Sequence, residues 1–210
     1  MRPSRKCHNN APAFEHSTRR KIRMSHPLPT IRTSRLLLAA LQPEQALTLS
    51  RLADEPTIAA MTSALPSPYT LEHARAFIAQ THDQYTAGQM LSLGVHIQET
   101  GELTGIVSLR LSMPHRSGHL GYWTGTHYQN QGYACEAAQG LLRHGFTDMN
   151  LNRIAGQCFS DNPASARVLD KCGLSYEGCT REAFLKNGVF KNMLLFGLLR
   201  SEYPSSEATS

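Results

Sequence analysis

Between Ala74 and Leu111 the apolar side chains change period, and that change restricts this chain to folds in which helices pack on a sheet. Ala74, Phe77, Ile78, Thr81 and Tyr85 stand at offsets 0, 3, 4, 7 and 11, one face of an α-helix that follows Thr70 and stops at Gly88. Leu91-Ser92-Leu93-Gly94-Val95-His96-Ile97 then alternates as a strand does. Glu99-Thr100-Gly101-Glu102 supplies turn chemistry, and Gly105-Ile106-Val107-Ser108-Leu109-Arg110-Leu111 returns as the partner of an antiparallel hairpin.

The remaining segments extend the pattern without internal repeats or long linkers. Order begins near Ile31, and Thr33-Ser34-Arg35-Leu36-Leu37-Leu38 reads as a first strand. Pro43 opens a helical stretch that runs to about Ala53. A strand over about residues 118–124 precedes a helix through Phe146, with Ala134, Ala138, Leu141 and Leu142 at offsets 0, 4, 7 and 8. Residues 153–159 form the next strand, and Asp161-Asn162-Pro163 starts a helix with Asn162 as N-cap and Pro163 in the first helical position. Gly173 ends that helix, and Asn187-Gly188 joins two last strands. The order β–α–α–β–β–β–α–β–α–β–β implies an α/β (α+β) fold, a mixed sheet with helices on its faces, as one domain over residues 26–205.

A chain of 210 residues buries an adequate core without metal or disulfide staples. Its five cysteines, Cys7, Cys135, Cys158, Cys172 and Cys179, are odd in number and form no C-x-x-C pair, so neither a disulfide framework nor a metal site is suggested. They read as buried, reduced, small hydrophobes, with a single reactive cysteine beside a histidine as the alternative. The net charge of +5 divides unevenly: residues 1–35 hold nine of the 21 Lys and Arg and one of the 16 acids, +8, leaving −3 for the remainder. Basicity therefore belongs to a disordered tail, residues 1–25, and not to a nucleic-acid-binding surface of the folded domain. That tail reads as an inert extension, a basic arm that touches RNA, or the product of a start upstream of Met24. No apolar run approaches the ~20 residues of a membrane span, and no secretory h-region is present, so a soluble cytoplasmic protein is expected.

Chemistry concentrates at Gln129-Asn130-Gln131-Gly132-Tyr133-Ala134, a glycine-bearing turn from strand into helix. Such a turn leaves backbone N–H groups outward at a helix N-terminus, where donors and helix dipole together bind phosphate. Read alone, it is equally a plain strand-to-helix turn. Gly121-Tyr122-Trp123 before it, and Glu136-Ala137 after it, make the stretch resemble the acetyl-CoA-binding signature of GNAT N-acetyltransferases, Q/R-x-x-G-x-G/A. Further on, Asp161-Asn162-Pro163-Ala164-Ser165 resembles that family's second cofactor segment, and Leu169-Asp170-Lys171-Cys172-Gly173-Leu174 its usual close. Glu177-Gly178-Cys179 and Ala183-Phe184-Leu185 are similar to the C-terminal part of ribosomal-protein N-terminal acetyltransferases of the RimL and RimJ type. The resemblance spans roughly residues 33–203.

The resemblance implies the GNAT fold, a mostly antiparallel twisted sheet flanked by helices on both faces, with acetyl-CoA as co-substrate. It implies that backbone amides of Gln131, Gly132, Tyr133 and Ala134 hold the CoA pyrophosphate, that Gln129 also belongs to the cofactor site, that Asn162 contacts the pantetheine arm or acetyl end, and that Ser165 lies near the thioester sulfur. Many relatives carry Glu where this chain has His119, which becomes the candidate base. Glu177 is an alternative base or amine-binding acid, and Glu136 supports the cofactor helix. The tyrosine that often serves as acid is replaced by Leu169, leaving Ser165 as candidate, and Asn192 stands where relatives often have Asp. Capping alone also accounts for Asn162, and a solvent-facing position for Ser165 or His119.

An amine attacks only when neutral, and an α-amino group with a pKa of about 7.7–8.0 needs a modest base. Direct transfer needs no covalent enzyme intermediate, because holding amine and thioester together supplies much of the rate. The implied acceptor is a protein or peptide N-terminus, such as that of a ribosomal protein. A small amine (amino acid, polyamine or antibiotic) is the second reading, and a non-catalytic acyl-CoA sensor the third. A homodimer is an open option, and no membrane partner is expected.

Overall fold

The strand-period segments pair into one sheet, and the chain's most consequential feature is where two of those strands stop pairing. The computed structural model describes residues 27–63 and 65–204. The basic tail 1–25, Cys7, Met24 and the domain limits 26 and 205 lie outside the described residues. Strands β1 (Ile31–Arg32) and β2 (Leu36–Ala39) lead into helices α1 (Ala46–Ala53), α2 (Pro56–Met61) and α3 (Leu71–Thr86). Strands β3 (Met90–Ile97), β4 (Leu103–Ser112) and β5 (Ser117–Thr124) follow, then α4 (Tyr133–Thr147), β6 (Arg153–Phe159), α5 (Pro163–Lys171), β7 (Ser175–Lys186) and β8 (Val189–Leu199).

The eight strands lie in the order β1-β2-β3-β4-β5-β6-β8-β7. Every pair is antiparallel except β5 with β6, which α4 connects as a parallel crossover. That parallel pairing runs from Ser117↔Arg153 to Leu120↔Gly156 and ends there, although β5 continues to Thr124 and β6 to Phe159. The sheet therefore carries a notch at its centre.

Alternation along the strands separates two buried faces. Leu91, Leu93, Val107 and Leu109 pack with Leu141 and Phe146 of α4. On the opposite face, Leu103 and Ile106 pack with Leu49 of α1 and Ala74 and Ile78 of α3. Helices on both faces of a mixed sheet are what the pattern of periods requires.

Two local features depart from the sequence reading. The stretch expected as one strand over residues 33–38 is split, because the Thr33 hydroxyl and amide both turn back to the Leu36 carbonyl, at 3.1 and 2.9 Å. Side-chain hydroxyls that bond locally compete with the ladder, and the result is a tight turn between β1 and β2. Helix α2 was not anticipated: six residues opened by Pro56 are too short to show a helical period. The expected terminators are in place, with Gly88, Gly173 and the Asn187-Gly188 pair all at positive φ.

Candidate active site

The phosphate-type turn owes its shape to one glycine and one distant ion pair. Gly132 is the residue before α4 and sits at φ 82°, a left-handed conformation that glycine adopts cheaply. No side chain caps the helix, and its first internal bond runs from the Glu136 amide to the Gly132 carbonyl, at 3.0 Å. The amides of Tyr133, Ala134 and Cys135 consequently have no partner within the helix.

Glu136, in the first turn of α4, gathers the β1–β2 turn around its carboxylate. It accepts from the Thr33 hydroxyl (2.7 Å), the Ser34 hydroxyl (2.9 Å), the Arg35 amide (2.7 Å) and Arg35 Nε (2.7 Å). Burial alone would raise its pKa, but those hydrogen bonds outweigh it and hold the group at about 2. Arg35 then donates from Nη1 to the Gln131 carbonyl at 3.0 Å and lies 4.9 Å from the centre of the Tyr133 ring. A peptide unit is planar and trans, so fixing the Gln131 carbonyl on Arg35 directs the Gly132 N–H the opposite way. Side chains of Gln129 and Gln131 staple the same turn, donating to the carbonyls of Thr124 and His127 at 3.1 Å each.

Two cavities open at the notch in the sheet. The helix-end cavity, about 580 Å³, is lined by Gln129, Gly132, Tyr133, Ala134, Asn162 and Ser165, with the basic side chains Arg167 and Lys171 also on its wall. The sheet-face cavity, about 560 Å³, lies over β3, β4 and β5 and under α3, and includes His119, Arg110, Ser92 and Gln157. Met61, Thr62, Tyr122, Trp123 and Ser165 belong to both, so these residues are the shared wall.

Ser165 is set on that wall by two partners. Asn162 caps α5 by accepting the Ser165 amide at 3.1 Å, as its position before Pro163 predicts. Tyr122 Oη lies 3.0 Å from the Ser165 carbonyl oxygen and 2.9 Å from Ser165 Oγ; its proton can go to either, and when it goes to Oγ the serine hydroxyl keeps its own proton to donate elsewhere. Burial pushes the Tyr122 pKa far up and keeps the phenol protonated. His119 is half-buried on β5, directly across from Arg110 of β4. Burial and then the Arg110 charge lower its pKa, leaving the imidazole neutral near pH 7.

The structure brings together most of the residues singled out from sequence, but not all. His119, Asn162, Ser165 and, of the turn 129–134, all but Gln131 converge on the two cavities; Gln131 lines neither, its carbonyl bound to Arg35 and its side chain to the His127 carbonyl. Glu177 lines neither cavity: its carboxylate is held by Arg153, with one contact of 2.6 Å, which lowers its pKa. Asn192 accepts the Glu182 amide at 2.8 Å and secures an irregularity in β7. Leu169 is a core side chain, 1% exposed. Of the four described cysteines, all free, Cys158 and Cys172 are buried with thiol pKa values raised by burial, as small hydrophobes behave. Cys135 is half-buried and Cys179 exposed, contrary to the expectation that all are interior. Sequence reasoning overlooked Tyr122 as the partner of Ser165, Arg35 as the brace of the turn, and Arg110.

Comparison with known proteins agrees with this geometry. A family model described as an acetyltransferase (GNAT) domain matches residues 35–175. The chain is 28% identical over 178 residues to the uncharacterized N-acetyltransferase p20 of Bacillus licheniformis, a match covering 84% of this chain and 99% of that one. It is 31% identical over 96 residues to the ribosomal-protein-serine acetyltransferase of Escherichia coli (strain K12), over 45% of this chain and 54% of that one. Among solved structures, Mycobacterium smegmatis RimJ in complex with CoA-disulfide shares the fold, with a TM-score of 0.77 at 22% identity over 86% of this chain and 92% of that one. Among the described residues no helix is long and apolar enough to cross a membrane. A strand-to-helix turn built to present backbone amides, on a sheet parted at its one parallel pair, is thus carried by a chain that belongs to the GNAT acetyltransferase family and is an acetyl-CoA-dependent N-acetyltransferase.

Proposed function

We propose that this enzyme acetylates the N-terminal amine of a protein or peptide, in the cytoplasm, with the helix-end cavity as donor site and the sheet-face cavity as acceptor site. The observation that carries this reading is the shared wall. Ser165 and Tyr122 face both cavities, and His119, neutral near pH 7, stands in the second alone. The donor cavity suits CoA in its own chemistry: unpartnered amides at the start of α4 for the pyrophosphate, and Arg167 and Lys171 for further phosphate charge. Acetyl-CoA supplies an acyl group already activated as a thioester.

His119 accepts the proton of the incoming ammonium through water and frees the lone pair that attacks the acetyl carbonyl. The C–N bond forms and the C–S bond breaks; of the two protons the nitrogen loses, the first passes through His119 to solvent, and the second, shed as the tetrahedral adduct collapses, goes to the CoA sulfur. Ser165 cannot surrender its proton for good, since a hydroxyl is a far weaker acid than a thiol. Its part is to hydrogen-bond the sulfur as charge develops there, with Tyr122 fixing its rotamer. An acceptor cavity of about 560 Å³ has room for the first residues of a peptide.

The test is release of free CoA thiol from acetyl-CoA in the presence of peptides, amino acids and polyamines. Peptide N-termini are expected to give the highest kcat/KM. Faster turnover of a free amino acid or polyamine would overturn the peptide reading, and tight acetyl-CoA binding with no turnover would replace it by a sensor.

A further inference from the structure

The acceptor cavity has a charge character that the chain as a whole does not. Beyond residue 35 the chain is net acidic, yet among the described residues no aspartate or glutamate lines this cavity. Its titratable side chains are Arg110 from β4, His119 from β5, His73 from α3, Cys158 from β6, and the tyrosines Tyr69 and Tyr122. Asp54 accepts the Tyr69 amide at 2.8 Å and is not on the wall. On the same floor, Ser92 is 1% exposed and its hydroxyl has no hydrogen-bond partner among the described residues, an arrangement that a bound polar group relieves.

Register sets the distances. Met90, Arg110 and His119 stand in one cross-strand row, and Ser92, Ser108 and Gly121 in the next row on the same face. Two residues of strand separate the rows, about 7 Å, toward the shared wall at Tyr122. A group bound by Arg110 is therefore one or two extended peptide residues behind an amine placed at Ser165.

Resting on the peptide reading above, we infer that the preferred acceptor is an acidic N-terminal segment, with a carboxylate at its second or third residue held by Arg110. A polyamine fits poorly, because its second ammonium would lie beside a guanidinium of like charge with no carboxylate on the wall to receive it. Polar hydroxyls and amides of Ser92, Ser108 and Gln157 suit the backbone between the amine and the acid.

The experiment measures kcat/KM on three peptides of equal length that differ at residues 2 and 3 (Asp, Asn or Lys), and on spermidine, for wild type, Arg110→Gln and Arg110→Lys. Arg110 is exposed, so both variants should fold. Wild type is expected to favour the Asp over the Asn peptide on the order of tenfold, mainly through KM. Arg110→Gln should bring that ratio near one, and Arg110→Lys should keep most of it. Equal rates on the three peptides, a ratio that survives Arg110→Gln, or spermidine as best substrate would each overturn the inference. Peptide turnover without charge preference would sink this inference alone, whereas no turnover of any acceptor despite acetyl-CoA binding would sink the peptide reading with it.

Discussion

The two cavities are alike in volume and opposite in construction. The donor cavity is walled mainly by two short runs of chain, residues 128–135 and 161–171, and the groups it would offer a phosphate are backbone amides at a helix start. The acceptor cavity is walled by side chains from α2, α3, β3, β4, β5 and β6, and its polar character is set by what those side chains are. Backbone donors recognise a feature common to every CoA thioester and tolerate changes of side chain. Side-chain walls can be respecified one residue at a time while the sheet stays as it is. A family that keeps its donor and varies its acceptor is well served by that division.

The sharpest way to break the comparison is His119→Ala, which should touch the acceptor side and leave the donor side alone. Loss of a general base costs about 10²-fold or more in turnover. The expected result is a fall of that order in kcat with the acetyl-CoA Kd within twofold of wild type. The pH profile sharpens it. His119 has a lowered pKa, so in wild type activity is lost as pH falls through a value below 6.5. That acid limb should vanish in His119→Ala, while the limb set by the acceptor amine, about 7.7–8.0, remains. A variant with an unchanged acid limb would remove His119 from the proton path.

Next in size is Arg35→Ala, which attacks the donor side from outside the cavity, through the Gln131 carbonyl. Freeing that peptide should raise KM for acetyl-CoA about tenfold, the worth of one charge-assisted hydrogen bond, with little change in kcat. Glu136→Gln, which loosens the grip on Arg35 while leaving the guanidinium in place, should act in the same direction and more weakly. A short acetyl thioester that lacks the nucleotide should be used equally well by wild type and both variants. Equal losses on the short donor would mean that Arg35 supports the fold and not the phosphate cradle.

The same division explains how much was legible in the sequence. Turn chemistry is local: Gly132 before α4, Asn162 before Pro163, and Asn187-Gly188 each declare a backbone conformation from adjacent residues, and the donor site is made of such places. The acceptor site depends on register between strands far apart in sequence. Nothing beside Arg110 says that it will face His119, and nothing beside Tyr122 says that β6 will part from β5 just there and let it reach Ser165. Glu177 shows the cost of reading strands as regular. It falls where β7 slips register between Tyr176 and Gly178, and a bulge re-aims its side chain away from both cavities, toward Arg153. The turn at residues 33–35 hid for a related reason, since its organising partner, Glu136, lies about a hundred residues away.

The smallest expected effect separates two roles that meet in Asn162, a donor-wall residue that also holds Ser165 of the shared wall. Its carbonyl oxygen caps α5 and so holds Ser165, while its position on the donor wall makes it a candidate for contact with the pantetheine arm. Asn162→Ala removes both roles and should cost about 1 kcal/mol of stability. In a chain of this length that is a fall in Tm of about 2–4 °C. Asn162→Ser restores a capping oxygen but is too short to reach into the cavity, so it should recover the Tm. If KM for acetyl-CoA recovers with it, Asn162 is a cap that positions Ser165 and nothing more. If Tm recovers and KM stays raised, the side chain also touches the donor, and the donor site is then not built of backbone alone.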